Sequence, residues 1–120
     1  MENKYKIGET DTRPWGKYRV TDVGNGFITK QIEVNPGGIL SLQRHNHRSE
    51  HWIVVAGVGT VTLGDKVVTV NTNQHIFLPV GAWHRMENRG TKPLVFIEVQ
   101  TGDNLDENDI ERKEDKYSRV

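Results

Sequence analysis

Apolar side chains recur along the middle of the chain with a period of two. Residues 27–34 (FITKQIEV) alternate and are rich in β-branched side chains, and Asn35-Pro36-Gly37-Gly38 then forces a turn. Residues 39–47 (ILSLQRHNH) alternate again. Residues 52–55 (WIVV) form an unbroken apolar run that stops at Gly57, the pattern of a strand buried on both faces. Residues 60–63 and 67–70 flank the turn Gly64-Asp65 and read as a hairpin. Residues 76–78 lead into Pro79-Val80-Gly81-Ala82, and residues 94–100 (LVFIEVQ) make the last clear strand. Short strands with turn signals about every 8–12 residues predict an all-β fold, a barrel or a sandwich, and not βαβ units. We place a small antiparallel β-barrel at about 27–100, inside a single domain that takes in residues 1–120.

The two ends carry a different pattern. Residues 1–18 are polar, with Pro14-Trp15-Gly16 as the apolar anchor, and read as an N-terminal arm. Residues 103–120 hold seven acidic and four basic residues. That segment predicts a short exposed C-terminal helix near 106–116, with Leu105, Ile110 and Tyr117 against the barrel.

Composition narrows the chemistry. Sixteen Lys+Arg balance sixteen Asp+Glu, so no global field draws the chain to nucleic acid or to an anionic membrane. An anionic ligand must then be met by a local group of arginines. Cysteine is absent, which excludes disulfides, thiolate catalysis and Cys-ligated zinc. No apolar run approaches the roughly 20 residues that span a bilayer, and the first residues show no signal-peptide core, so a cytoplasmic location is expected.

Three of the five histidines crowd into QRHNHRSEH, residues 43–51. If residues 39–47 run as one strand, Gln43, His45 and His47 project from one face, and His84, after the Pro79–Ala82 turn, can cross to meet them. Histidine, carboxylate and a neutral oxygen together suit one divalent ion, Zn²⁺ first, with Mn²⁺, Co²⁺, Ni²⁺ or Fe²⁺ as alternatives. His51 has the opposite strand parity to Glu50 and is expected outside the site. His75 lies beside a turn and is expected on the surface.

These residues resemble the two cupin motifs. Pro79-Val80-Gly81, His84 and Asn88 keep the spacing of the second, with Asn73 where its first glycine would stand. In the first motif, Gly37, Gln43, His45, Glu50 and Gly57 keep every spacing with glutamine in place of the first histidine. The register that pairs His45 with His47 is off by one on both sides. The resemblance therefore implies a cupin, or jelly-roll, barrel with Gln43, His45, Glu50 and His84 as metal ligands; His47 is the alternative to Gln43.

A closer likeness covers residues 13–119. Arg13-Pro14-Trp15-Gly16, Leu40-Ser41-Leu42-Gln43, the run from His47 to Val55, His84-Arg85-Met86-Glu87-Asn88 and Ile97-Glu98-Val99-Gln100 resemble the type II phosphomannose isomerase domain. That domain usually ends bifunctional mannose-1-phosphate guanylyltransferase/mannose-6-phosphate isomerases. No glycine-rich nucleotide loop is present and no guanylyltransferase domain precedes Met1, so guanylyl transfer is not expected of this chain.

The resemblance implies interconversion of mannose 6-phosphate and fructose 6-phosphate through a cis-enediol, with the metal polarising the carbonyl. His47 is the first candidate for the general base and Glu98 the second. Arg48, Arg85 and Arg112 are the candidates for the substrate phosphate, Arg48 also for a catalytic part, although Arg48 and Arg44 can equally be solvated rim residues. Trp15, Trp52 and Trp83 are expected in the core or at the barrel mouth. The competing readings are a non-catalytic cupin that binds a sugar phosphate or nucleotide sugar, and oxygen activation at iron. A homodimer is the expected assembly, because pairing covers exposed sheet edges.

Overall fold

The computed structural model describes residues 5–106 and 108–117. Among these the chain forms eleven strands and no helix: β1 (Thr10–Arg13), β2 (Gly16–Gly24), β3 (Phe27–Val34), β4 (Leu42–Arg44), β5 (Arg48–Ala56), β6 (Gly59–Leu63), β7 (Lys66–Val70), β8 (His75–Leu78), β9 (His84–Glu87), β10 (Leu94–Gly102) and β11 (Glu111–Glu114). They make two antiparallel sheets, ordered β1-β2-β3-β10-β5-β8 and β11-β4-β9-β6-β7. The sheets stay separate, so the expected closed barrel is a two-sheet sandwich.

Both chain ends depart from expectation. The supposed arm contributes β1 and β2, which extend the larger sheet at its β3 edge. Its signal was present, since β2 and β3 are joined by Asn25-Gly26, the two-residue loop that best matches strand twist. The supposed helix is β11, paired to β4 at Glu111↔Arg44 and Arg112↔Gln43. Glu-Arg-Lys-Glu favours helix locally, but propensity is a weak prior beside an open strand edge offering unpaired N–H and C=O groups. The Arg44–Glu111 (2.7 Å) and Arg85–Glu114 (3.3 Å) ion pairs accompany that pairing. Leu105 is buried and Tyr117 packs on the core as anticipated, without the helix meant to carry them.

The run WIVV is buried on one face only: Trp52 and Val54 point inward, while Ile53 (40%) and Val55 (46%) stay exposed. The inward side of the larger sheet changes character along its length. One end presents Ile32, Val54 and Phe96; the other presents Lys30, Glu98, Gln100, Glu50 and Arg48, all buried. Register sets Glu98 opposite Lys30 and Trp52, and Gln100 opposite Glu50. Across the smaller sheet, Arg112, Gln43, His84 and Leu63 stand side by side.

Two turns bring these rows together. Gly81 takes φ +80° and its N–H donates to the His45 carbonyl at 2.8 Å, which docks the turn before His84 onto the loop bearing His45. Asn73, standing where the motif has glycine, takes φ +74°. Asparagine is among the few side chains that tolerate this left-handed conformation, so the departure keeps the backbone requirement.

Candidate functional site

His45, Glu50 and His84 converge between the sheets, with one ligand atom from each lying within 4.8 Å of the others. All three are 2% exposed. His45 Nδ1 lies 2.7 Å from the Asp109 carbonyl, and His84 Nδ1 lies 3.0 Å from the Ala82 carbonyl. A carbonyl only accepts, so each Nδ1 carries the hydrogen and each Nε2 is left with a lone pair. His45 Nε2 then faces Glu50 Oε2 at 3.1 Å, and His84 Nε2 is buried with no hydrogen-bond partner. Arg48 meets the first two acceptors from one side, but nothing among the described residues meets His84 Nε2, and two imidazole nitrogens with a carboxylate are a donor set that fits a divalent metal ion. Gln43 stands beside His84 and donates from Nε2 to the Ser41 carbonyl and Oγ, which makes Oε1 the candidate fourth ligand.

A second ring of groups surrounds this cradle. Arg48 donates from Nε to Glu50 Oε2 at 2.8 Å, with Nη2 at 3.2 Å from His45 Nε2. Trp52 Nε1 donates to Glu50 Oε1 (2.8 Å) and Glu98 Oε1 (3.1 Å), and Gln100 Nε2 donates to Glu98 Oε2 (2.7 Å). Burial works to raise the Glu50 carboxyl, but the Arg48 charge first, with His45 and His84 beside it, outweighs burial and holds it well below the usual range. Burial, then the charge of Glu50, pushes Glu98 up to about 7, against the pull of Lys30. Burial lowers His84, which favours the neutral, metal-binding ring.

Beside the cradle lies a cavity of about 100 Å³. Its inner part is formed by the buried Lys30, Ser41, Arg48 and Glu98, and its rim by the partly exposed Arg13, Gln43, Ile110 and Arg112. Tyr5, Trp15 and Tyr18 make the wall, and the Lys30 ammonium lies over the rings of Tyr5 (4.5 Å) and Tyr18 (4.3 Å).

The sequence-derived candidates divide accordingly. His45, Glu50 and His84 meet, with Gln43 adjacent; Arg48, Glu98 and Arg112 line the cavity. Arg48 is not a solvated rim residue, since it is 7% exposed and shares its strand face with Glu50. His47 is not brought to the site. Its side chain is half exposed and lies 3.7 Å from Asp103. The chain leaves β4 at Arg44 and bends at residues 46 and 47, so side-chain parity does not carry from Gln43 to His47. Arg85 also falls away, because it alternates with the inward His84 and Met86 and pairs with Glu114. Trp83 sits outside under Arg44 (4.8 Å), and His51 and His75 are exposed, their rings 6.2 Å apart.

Sequence reasoning missed Lys30, Arg13 and Tyr5. Lys30 did leave a signal, a charge at an inward position of the alternating FITKQIEV. Asp109 was missed as well: its carbonyl orients His45, and its carboxylate accepts from the backbone N–H of Asn46 and His47, both at 2.9 Å.

Solved structures share this architecture. The cupin domain of Schizosaccharomyces pombe Cnp3 superposes with a TM-score of 0.70 at 15% identity, over 72% of this chain and 64% of that one. Oxalate decarboxylase from Lactobacillus farciminis superposes with a TM-score of 0.75 at 21% identity, over 87% and 33%. The two sheets have the cupin fold. Within that class the chain belongs to the mannose-6-phosphate isomerase C-terminal family, whose model matches residues 1–115. The xanthan biosynthesis protein XanB of Xanthomonas campestris pv. campestris (strain B100) is 52% identical over 108 residues, 90% of this chain and 23% of that protein. The mannose-1-phosphate guanylyltransferase ManC of Salmonella typhimurium is 49% identical over 90% of this chain and 22% of its own length. The chain thus spans less than a quarter of the length of these two curated relatives.

Proposed function

We propose that this domain interconverts mannose 6-phosphate and fructose 6-phosphate, a metal-dependent aldose–ketose isomerisation through a cis-enediol. The observation that carries the reading is a buried carboxyl, Glu98, tuned to about 7 on the wall of a cavity that adjoins a cradle of two histidines and a carboxylate. A divalent cation, zinc first, would be held by His45, Glu50, His84 and Gln43 Oε1, and would supply Lewis-acid polarisation of the sugar carbonyl. Glu98 takes the place intended for His47. It removes the proton from C2, and the C–H electron pair becomes the C1–C2 double bond of the enediol as the C1 carbonyl pair moves onto O1. The O2 proton passes to O1, the C2 carbonyl forms, and the double-bond pair takes the proton back from the carboxyl at C1. A group near neutrality both accepts and returns a proton efficiently, and Trp52 and Gln100 each hold one of its oxygens. Arg48 keeps Glu50 ionised and aimed, and its Nη1, buried without a hydrogen-bond partner, is a donor for a sugar oxygen. Membership of the isomerase family supports the same assignment.

The test is an assay of mannose 6-phosphate turnover by protein loaded with Zn²⁺ or Mn²⁺, with and without a chelator. Chelator-sensitive turnover is expected. Its absence with every metal would sink the isomerase reading and leave a sugar-phosphate-binding module.

A further inference from the structure

The mouth of the cavity is built from opposite ends of the chain. Arg13 ends β1, the edge strand of the larger sheet, and Arg112 lies in β11, the edge strand of the smaller one. Both side chains line the same cavity. We propose that Arg13 and Arg112 form the clamp that holds the phosphate of the substrate. The proposal rests on the sugar-phosphate reading above, and it moves phosphate recognition away from Arg48 and Arg85.

Charge places the phosphate at the rim. The inner cations already face carboxylates: Arg48 is hydrogen-bonded to Glu50, and Lys30 acts on Glu98. A dianion placed there would meet two carboxyl groups. At the rim it meets arginines, whose planar forks match phosphate oxygens bidentately. Arg13 pairs with Asp11 at 3.0 Å, but that pair is 33% and 44% exposed, the kind of contact a phosphate dianion displaces at little loss. Arg85 points the other way, toward Glu114, and is the natural control.

The experiment is calorimetric titration of the zinc-loaded full chain with mannose 6-phosphate, mannose and inorganic phosphate. The variants are Arg13→Gln, Arg112→Gln and Arg85→Gln, with Arg13→Lys and Arg112→Lys to cover any glutamine variant that misfolds. Each clamp substitution is expected to weaken mannose 6-phosphate and inorganic phosphate roughly tenfold or more, with mannose binding and the Arg85→Gln variant unaffected. Mannose 6-phosphate affinity within twofold of wild type in both clamp variants, or an equal loss in Arg85→Gln, would overturn the proposal. Phosphate binding that depends on both arginines, without turnover, would remove the isomerase reading and leave the clamp standing. Turnover with phosphate affinity insensitive to both would do the reverse.

Discussion

Glu50 and Glu98 are acceptors for the same Trp52 N–H, yet their surroundings drive them in opposite directions. Glu50 stays ionised because Arg48 and the histidines outweigh its burial, whereas burial and the charge of Glu50 raise Glu98 to about 7. Raising a carboxyl in the folded state favours its protonated form there. Its contribution is therefore fully present below the ordinary value of 4.5 and is lost as pH rises through about 7. Above that pH the ionised Glu98 costs the metal-free fold on the order of 3 kcal/mol. Glu98→Gln removes this burden. In urea unfolding with EDTA present, the variant should gain on wild type from about pH 4.5 to about pH 7 and level off above that; a constant difference would contradict the assignment. With zinc restored, the same variant should keep its full metal stoichiometry and lose turnover by about 10²–10⁴-fold.

At the scale of elements, one departure from expectation came from a partner distant in sequence and another from a local turn. Residues 111–114 became a strand because β4 had an open edge, and the arm became strands because Asn25-Gly26 closes a hairpin. The turn before β8 is a further case in which local chemistry suffices. Asn73 at φ +74° donates its N–H to the Val54 carbonyl at 2.8 Å, tying the turn to β5. Asn73→Gly should leave stability unchanged or raise it by up to about 1 kcal/mol. Asn73→Val should lower it by about 2 kcal/mol, because a β-branched residue resists this conformation. Equal stability of the two variants in chemical denaturation would show that the turn relaxes elsewhere.

For the whole molecule, the cradle bridges the sandwich: Glu50 belongs to the larger sheet, His84 and Gln43 to the smaller, and His45 to the loop between β4 and β5. A metal ion held there ties the sheets together and adds about 2.7 kcal/mol at a hundredfold excess over its dissociation constant. Burial lowers His84, so its ring stays neutral to below the ordinary value of 6.5; that contribution is fully present above 6.5 and is lost as pH falls through the lowered value. The rise in thermal midpoint on adding Zn²⁺ should therefore be clear at pH 7.5, shrink toward pH 5 and vanish in His84→Ala. A zinc-induced shift that survives in His84→Ala would place the metal elsewhere.

The order of turns and alternating positions determined an all-β chain, and the spacing of the two motifs singled out Gln43, His45, Glu50 and His84, because local periodicity and motif spacing need no knowledge of what lies opposite. They could not supply the facing of His47, which depends on where β4 ends. Nor could they supply the fate of Arg85, which depends on which side of β9 faces the other sheet. The acid–base character of Glu98 comes from burial beside Glu50, and the placing of Arg13 and Arg112 on one cavity comes from the packing of one sheet on the other. Those are properties of neighbours far apart in the chain, and only the packed sandwich brings them together.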